Sequence, residues 1–265
     1  MGLSPPIGEF IDADLNALPP RDVTHSQAEK KNYAEAFSRL LAKRLANALR
    51  PSFPGILPDE RGRRQESKAR TSKGYKKLDI NYSTTELGLG LGVSVKTLNF
   101  RDPKTQRYTK NYTRIDNELR AEGSDYHERQ PYAVMVAVIF LPLDSCTDGR
   151  TTASSFAQAV HIFRHRANRM GTTDSPAKFE RVFLALYDSQ PGAEFGKVKC
   201  FDVRSRPPKN GPPAKYLTMA KMISEIVNTY DERNNTKIVW ADEPTKPEDL
   251  DEIMEVVQEE DDEEA

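Results

Sequence analysis

Only two cysteines occur in 265 residues, and Cys146 and Cys200 lie far apart, each in an apolar setting. That argues against a disulfide framework and for buried thiols in a reducing cytoplasm. No apolar stretch approaches the roughly 18 residues of a membrane helix, and no apolar run follows a basic start, so neither membrane spanning nor export is expected. A GxxxxGK[ST] loop is missing, which removes nucleotide hydrolysis through that motif. The GLGLG run at 88–92 lacks the dinucleotide fingerprint and leads into a strand, which argues against a Rossmann turn. His161 and His165 stand at a spacing that can hold zinc on a helix, but no CxxC or HExxH pattern accompanies them and their neighbours are Arg164 and Arg166. No Ser/Cys–His arrangement stands out for acyl transfer.

What is present is charge, unevenly placed. Residues 21–120 hold 22 Lys and Arg against 11 Asp and Glu, whereas 241–265 holds 13 acids and one lysine, although the net charge is only -1. A basic half suits a polyanion such as nucleic acid, which binds largely through phosphate neutralisation; the plainer alternative is a solubilising surface. With 37% hydrophobic residues the chain can bury one sizeable core. The expected layout is an extended arm over 1–24, an α/β domain over 25–240 with its core at 26–141, and an acidic, disordered tail over 241–265.

The stretch Tyr75–Phe100 reads as two strands joined by a glycine-punctuated connection. Leu78, Ile80 and Tyr82 alternate with Asp79, Asn81 and Ser83, and Leu89, Leu91, Val93 and Val95 alternate with Gly90, Gly92, Ser94 and Lys96. A reversal centred near Gly88 places Asp79 roughly opposite Lys96 or Thr97, so carboxylate, lysine and serine would share one face. The glycines beside them would admit another backbone or a phosphate.

This hairpin resembles the metal-dependent nucleases of the PD-(D/E)xK, or restriction-endonuclease-like, superfamily. Asp79 matches the family's first metal-binding acid and Lys96 its lysine. The family's pattern puts Asp or Glu two residues before the lysine, where this chain has Ser94. Either Ser94 or its carbonyl with a water takes that place, or Glu86 on the connection supplies the carboxylate, or catalysis has been lost. The resemblance implies a restriction-endonuclease-like core, a mixed central sheet flanked by helices, binding Mg2+ or Mn2+ and hydrolysing DNA, as in restriction or antiviral defence. It further implies a metal-site glutamate on the preceding helix, which makes Glu35 or Glu29 a candidate, although a solvated outer-face residue is the stronger reading of either. The competing function is a catalytically silent domain that binds nucleic acid or serves as a subunit of a larger assembly.

Taken in order, Pro5, Pro6, Pro19 and Pro20 mark the arm, which together with the tail is a candidate contact for a partner protein or a second copy. Tyr33, Phe37, Leu40, Leu41 and Leu45 predict a long helix capped by Ser26 and stopped by Pro51. Residues 51–77 read as a mobile basic loop, either one whose Arg61, Arg63, Arg64, Lys68, Arg70 and Lys73 embrace a nucleic-acid backbone or, equally, a solvated insertion. After the hairpin, Arg101, Lys104, Arg107, Lys110 and Arg114 interleave with Tyr108 and Tyr112, a pattern for phosphate contact with base stacking. A polar helix is expected over 116–130, with Asp125, His127 and Glu128 able to reach the active face and His127 as a proton carrier. PYAVMVAVIFLP predicts a central strand covered on both faces. Helices over 154–170 and 217–230 and strands over 179–187 and 197–203 complete the alternation.

Overall fold

In the computed structural model, residues 7–22, 24–64, 67–85, 88–149 and 151–234 are described. Glu86 and the acidic tail lie outside the described residues.

A five-stranded mixed sheet, in the order β3 (Ile80–Thr84), β4 (Gly88–Thr97), β5 (Val134–Pro142), β6 (Arg181–Tyr187), β7 (Val198–Asp202), carries the fold. The pairs β4–β5 and β5–β6 are parallel; the outer strands β3 and β7 run antiparallel to their neighbours. Every residue of β5 and β6 is buried, as their unbroken apolar runs require of strands covered on both faces. One face packs on α2 (Gln27–Leu49) and α5 (Met219–Asn234), the other on α3 (Tyr112–His127) and α4 (Ser155–Phe163). The expected α/β class with a mixed sheet between helices is therefore observed.

Helix α2 starts where Ser26 and Glu29 form a reciprocal capping box, at 3.3 Å and 2.8 Å, and ends at Leu49 ahead of Pro51. Its buried stripe Tyr33, Phe37, Leu41, Leu45 and Leu49 recurs every fourth residue and lies on the sheet. Phe37 meets Phe140 and Tyr187 edge-on at 6.3 Å and 5.5 Å. Each such ring contributes about 1.5–3 kcal/mol through burial. Cys146 and Cys200 are buried and unpaired, and burial pushes both thiols up to about 12.

Several expectations are corrected. Residues 7–22 are not an extended arm: Ile11 and Leu15, around the short helix α1 (Asp12–Asn16), are buried in the core beneath α2, and Arg44 pairs with Asp14. The apolar pair is worth more buried on its own domain than held out in water. Residues 51–77 are not a structureless loop. Phe53 and Ile56 are core residues, and β1 (Ser67–Thr71) pairs antiparallel with β2 (Gly74–Leu78) in a separate two-stranded ribbon.

The first strand of the hairpin is broken at Asp79. Leu78, in β2, faces the α3 side, whereas Ile80, in β3, faces the α2 side. The second strand also changes face, because β4 carries a bulge at Gly90: Tyr82 pairs with Leu91 but Ser83 pairs with Leu89. Leu89 consequently packs toward α3 while Leu91, Val93 and Val95 pack toward α2. The glycines serve internal packing rather than a phosphate. A Cβ at Gly90 would stand 3.2 Å from Tyr82 and Tyr230, and one at Gly92 would stand 2.6 Å from Met135 Sδ.

Candidate active site

The register Ile80↔Val93, extended by one residue, sets Asp79 opposite Ser94. That is two or three residues short of the expected alignment with Lys96 or Thr97, because Thr84 pairs with Gly88, so the reversal is centred ahead of Gly88. Asp79 sits where β3 has not yet begun, so β4, paired with β5 on its other edge, lacks a strand partner on this one. The carboxylate fills the gap: Asp79 Oδ2 accepts a 2.7 Å hydrogen bond from Val95 N–H. Ser94 and Lys96 project on the α3 side of β4, and Lys96 Nζ meets Glu122 Oε1 at 2.7 Å and Glu118 Oε2 at 3.7 Å.

Helix α3 thus delivers what the strands lack. Tyr112, Ile115, Leu119 and Tyr126 press its apolar stripe on the sheet, and Glu118, Glu122 and Tyr126 recur every four residues along the edge of that stripe beside Lys96. Three polar atoms on these two elements are buried without a hydrogen-bond partner: Ser94 Oγ on β4, and Glu122 Oε2 and Tyr126 OH on α3. Burial, followed by the charges of Glu122, Asp125 and Asp79, raises the Tyr126 phenol above its ordinary pKa and holds it neutral. For Lys96, burial alone would lower the pKa; Glu122, through charge and hydrogen bond, and then Asp79 and Glu118 outweigh it and raise it. Lys96 is therefore a fixed ammonium at neutral pH, suited to positioning an anion and not to accepting a proton.

Lys96 also forms part of the floor of a cleft of about 550 Å³ at the carboxyl end of β4. Lys30, Lys31, Arg101, Lys110 and Arg114 contribute five further cations to its wall, against Glu35, Glu118 and Asp102. Asp79, Ser94 and Glu122 are not part of that lining; Lys96 joins the carboxylate cluster to the cleft. Openings of this kind at the carboxyl ends of parallel strands are the common ligand positions of open α/β sheets.

Buried donor atoms without partners at Ser94 and Glu122, next to the Asp79 carboxylate, fit a hard cation of the Mg2+ kind, which takes one or two carboxylates and keeps several waters. Among the described residues, no group of three or more His, Cys, Asp or Glu is placed to hold a metal ion by itself, so waters and the Ser94 hydroxyl would have to complete the shell.

No protein-family model, curated protein or solved structure matches this chain. Its chemistry is therefore argued from the arrangement just described.

Other expected site residues fall in different places. Glu29 is committed to the α2 cap, and Glu35 lies exposed on the cleft wall 3.7 Å from Lys31, away from the Asp79–Glu122 cluster. Asp125 faces the ribbon, not the cleft, holding Lys73 at 3.1 Å and Lys76 at 2.7 Å. His127 is buried, with Nδ1 2.9 Å from the Pro176 carbonyl and Nε2 3.4 Å from Glu180, so it carries no proton for the site. Glu128 is exposed and accepts from Ser72 at 3.0 Å. His161 and His165 are exposed rings in edge contact at 5.8 Å.

Of the expected nucleic-acid contacts, Arg61, Arg63, Arg64, Lys68, Arg70, Lys73, Lys104 and Lys110 are exposed. Lys110 lies 3.2 Å from Asp102, and Arg101 lies 2.8 Å from Asp144. Arg107 holds the Thr152 hydroxyl at 3.0 Å and the Ala153 carbonyl, a structural role. Base stacking by Tyr108 and Tyr112 is overturned. Both rings are buried, their hydroxyls donating to Asp144 and the Ser155 carbonyl at 2.9 Å. Sequence reasoning missed Glu118, Glu122 and Tyr126. Their spacing beside Ile115 and Leu119 was the available signal, obscured by more conspicuous charges at the end of the same helix.

Proposed function

We propose that this protein is a Mg2+- or Mn2+-dependent endonuclease that hydrolyses phosphodiester bonds in DNA, built on a restriction-endonuclease-like core. The observation that carries the reading is the Lys96–Glu122 pair: a helix glutamate meets the strand lysine two residues after Ser94, and the Asp79 charge acts on the same lysine. In this reading Asp79 and Glu122 would hold the metal ion, and the Ser94 hydroxyl would hydrogen-bond one of its waters. The bound ion supplies a Lewis acid and an activated water. Lys96 draws the scissile phosphate toward the carboxylates and offsets charge as it develops, while the cations of the cleft wall hold the flanking backbone. Work in restriction or antiviral defence, in the cytoplasm, is what the resemblance adds to this proposal.

Plasmid DNA and a labelled RNA, incubated with Mg2+, Mn2+ or EDTA, test it. Metal-dependent cutting of DNA, lost in Asp79→Ala and Lys96→Ala variants that still fold, is the expected result; cutting retained in both variants overturns it. The silent, nucleic-acid-binding reading is favoured by one feature, Ser94 in place of a strand acid. It would show as salt-sensitive DNA binding with no cutting under any metal.

A further inference from the structure

The β1–β2 ribbon has two unlike faces. Ala69 and Thr71 are buried on one, where Lys76 reaches Asp125 of α3. On the other, the register sets Lys68 across from Lys77 and Arg70 across from Tyr75, and all four side chains are exposed. Tyr75 is 66% exposed, among the most exposed large rings of the described chain, and the Arg70 guanidinium lies over it at 5.8 Å. Lys68, Arg70, Lys77 and Tyr75 on a five-residue ribbon make a basic, exposed surface with one aromatic ring and little apolar area for a protein partner.

The ribbon is also fixed to the candidate site. Its second strand ends at Leu78, the residue before Asp79, and Asp125 lies three residues beyond Glu122 on the same helix. Whatever the ribbon grips is therefore held in register with the carboxylate cluster.

We propose that the β1–β2 ribbon is a recognition element for duplex DNA, entering the major groove with Arg70 against base edges and Lys68 and Lys77 on the two flanking phosphate strands. B-form DNA has a major groove about 12 Å wide, which admits a two-stranded ribbon, and a five-residue strand spans about 17 Å, or about five base pairs. An arginine held over a ring presents its fork in one plane, the geometry that guanine O6 and N7 accept. The deep, narrow major groove of duplex RNA excludes such a ribbon. The inference rests on the nucleic-acid reading of the neighbouring site but not on its ability to cut.

The test is fluorescence anisotropy with the full chain in EDTA, using a short DNA duplex, the RNA duplex of the same sequence, and single-stranded DNA. The variants are Lys68→Ala with Lys77→Ala, Arg70→Ala with Tyr75→Ala, and, as a control outside both the ribbon and the candidate site, the exposed Lys215→Ala; circular dichroism reports their folding. DNA duplex should bind at least about tenfold more tightly than RNA duplex, and each double variant should weaken DNA binding by about tenfold or more. The lysine pair should also flatten the slope of log affinity against log salt by about 2. Wild-type affinity in both ribbon variants, or equal affinity for all three nucleic acids, overturns the ribbon's role. Ribbon-dependent DNA binding without cutting in Mg2+ or Mn2+ would leave the ribbon standing and remove the nuclease. Cutting with ribbon-independent binding would do the reverse.

Discussion

Lys96 on β4 and Glu122 on α3, 26 residues apart in the chain, meet at 2.7 Å with only 18% of either side chain exposed. The pair joins the sheet to the helix and brings a second carboxylate to Asp79, whose own strand neighbour is Ser94.

Glu122→Gln keeps the shape of this contact but removes its charge. Cutting should fall at least about a hundredfold, at a stability cost of about 1 kcal/mol. Calorimetry separates a metal ligand from a mere partner of Lys96: Mn2+ binding should be lost in Glu122→Gln and kept in Lys96→Met. Equal Mn2+ affinity in Glu122→Gln and the wild type would remove Glu122 from the metal site.

Ser94 buries a hydroxyl with no hydrogen-bond partner, an arrangement that costs stability. Ser94→Ala should leave the melting temperature unchanged or raise it, while weakening metal-dependent cutting. A clear drop in melting temperature would mean the hydroxyl is already satisfied.

Asp125 ties the ribbon to α3. Burial would raise its pKa, but hydrogen bonds and charge from Lys76 and Lys73 prevail and hold it below the ordinary 3.8. Its contribution is thus present above pH 3.8 and is lost as pH falls through the lower folded value. Asp125→Asn should speed amide exchange in β1 and β2 and expose Lys73, Lys76 and Lys77 to trypsin near neutral pH. Wild-type protein should show the same exchange only in strong acid. Unchanged ribbon protection in the variant would show that backbone pairing alone anchors it.

Gly196 has φ +81°, and a Cβ there would lie 2.4 Å from the backbone nitrogen of Asp12. Gly196→Ala should cost about 2 kcal/mol or more, lowering the melting temperature by about 4–8 °C. Thermal unfolding of the variant within about 1 °C of wild type would mean that residues 10–16 are not seated as described.

The residues that alternate or recur with a fixed period announced their elements. Tyr33, Phe37, Leu41 and Leu45 marked α2, Ser26 its cap and Pro51 its stop, and the unbroken run at 134–142 marked a strand covered on both faces. These follow from local sterics and hydrophobic period, which neighbouring residues settle among themselves. The same logic placed Asp79, Ser94 and Lys96 near one another, since adjacent strands must pair.

What it could not settle was alignment and company. A bulge at Gly90 and a bend at Asp79 each reverse which face the following side chains take, and nothing local announces a one-residue slip in a ladder. Nor could spacing show that Tyr108 and Tyr112 would be buried, or that Glu122 and not Glu35 would stand against Lys96. Such meetings depend on how α3 lies across the sheet, which is decided by the packing of Ile115, Leu119 and Tyr126 against strands far away in the chain. Period fixed the elements; only close packing between them brought Glu122 to Lys96.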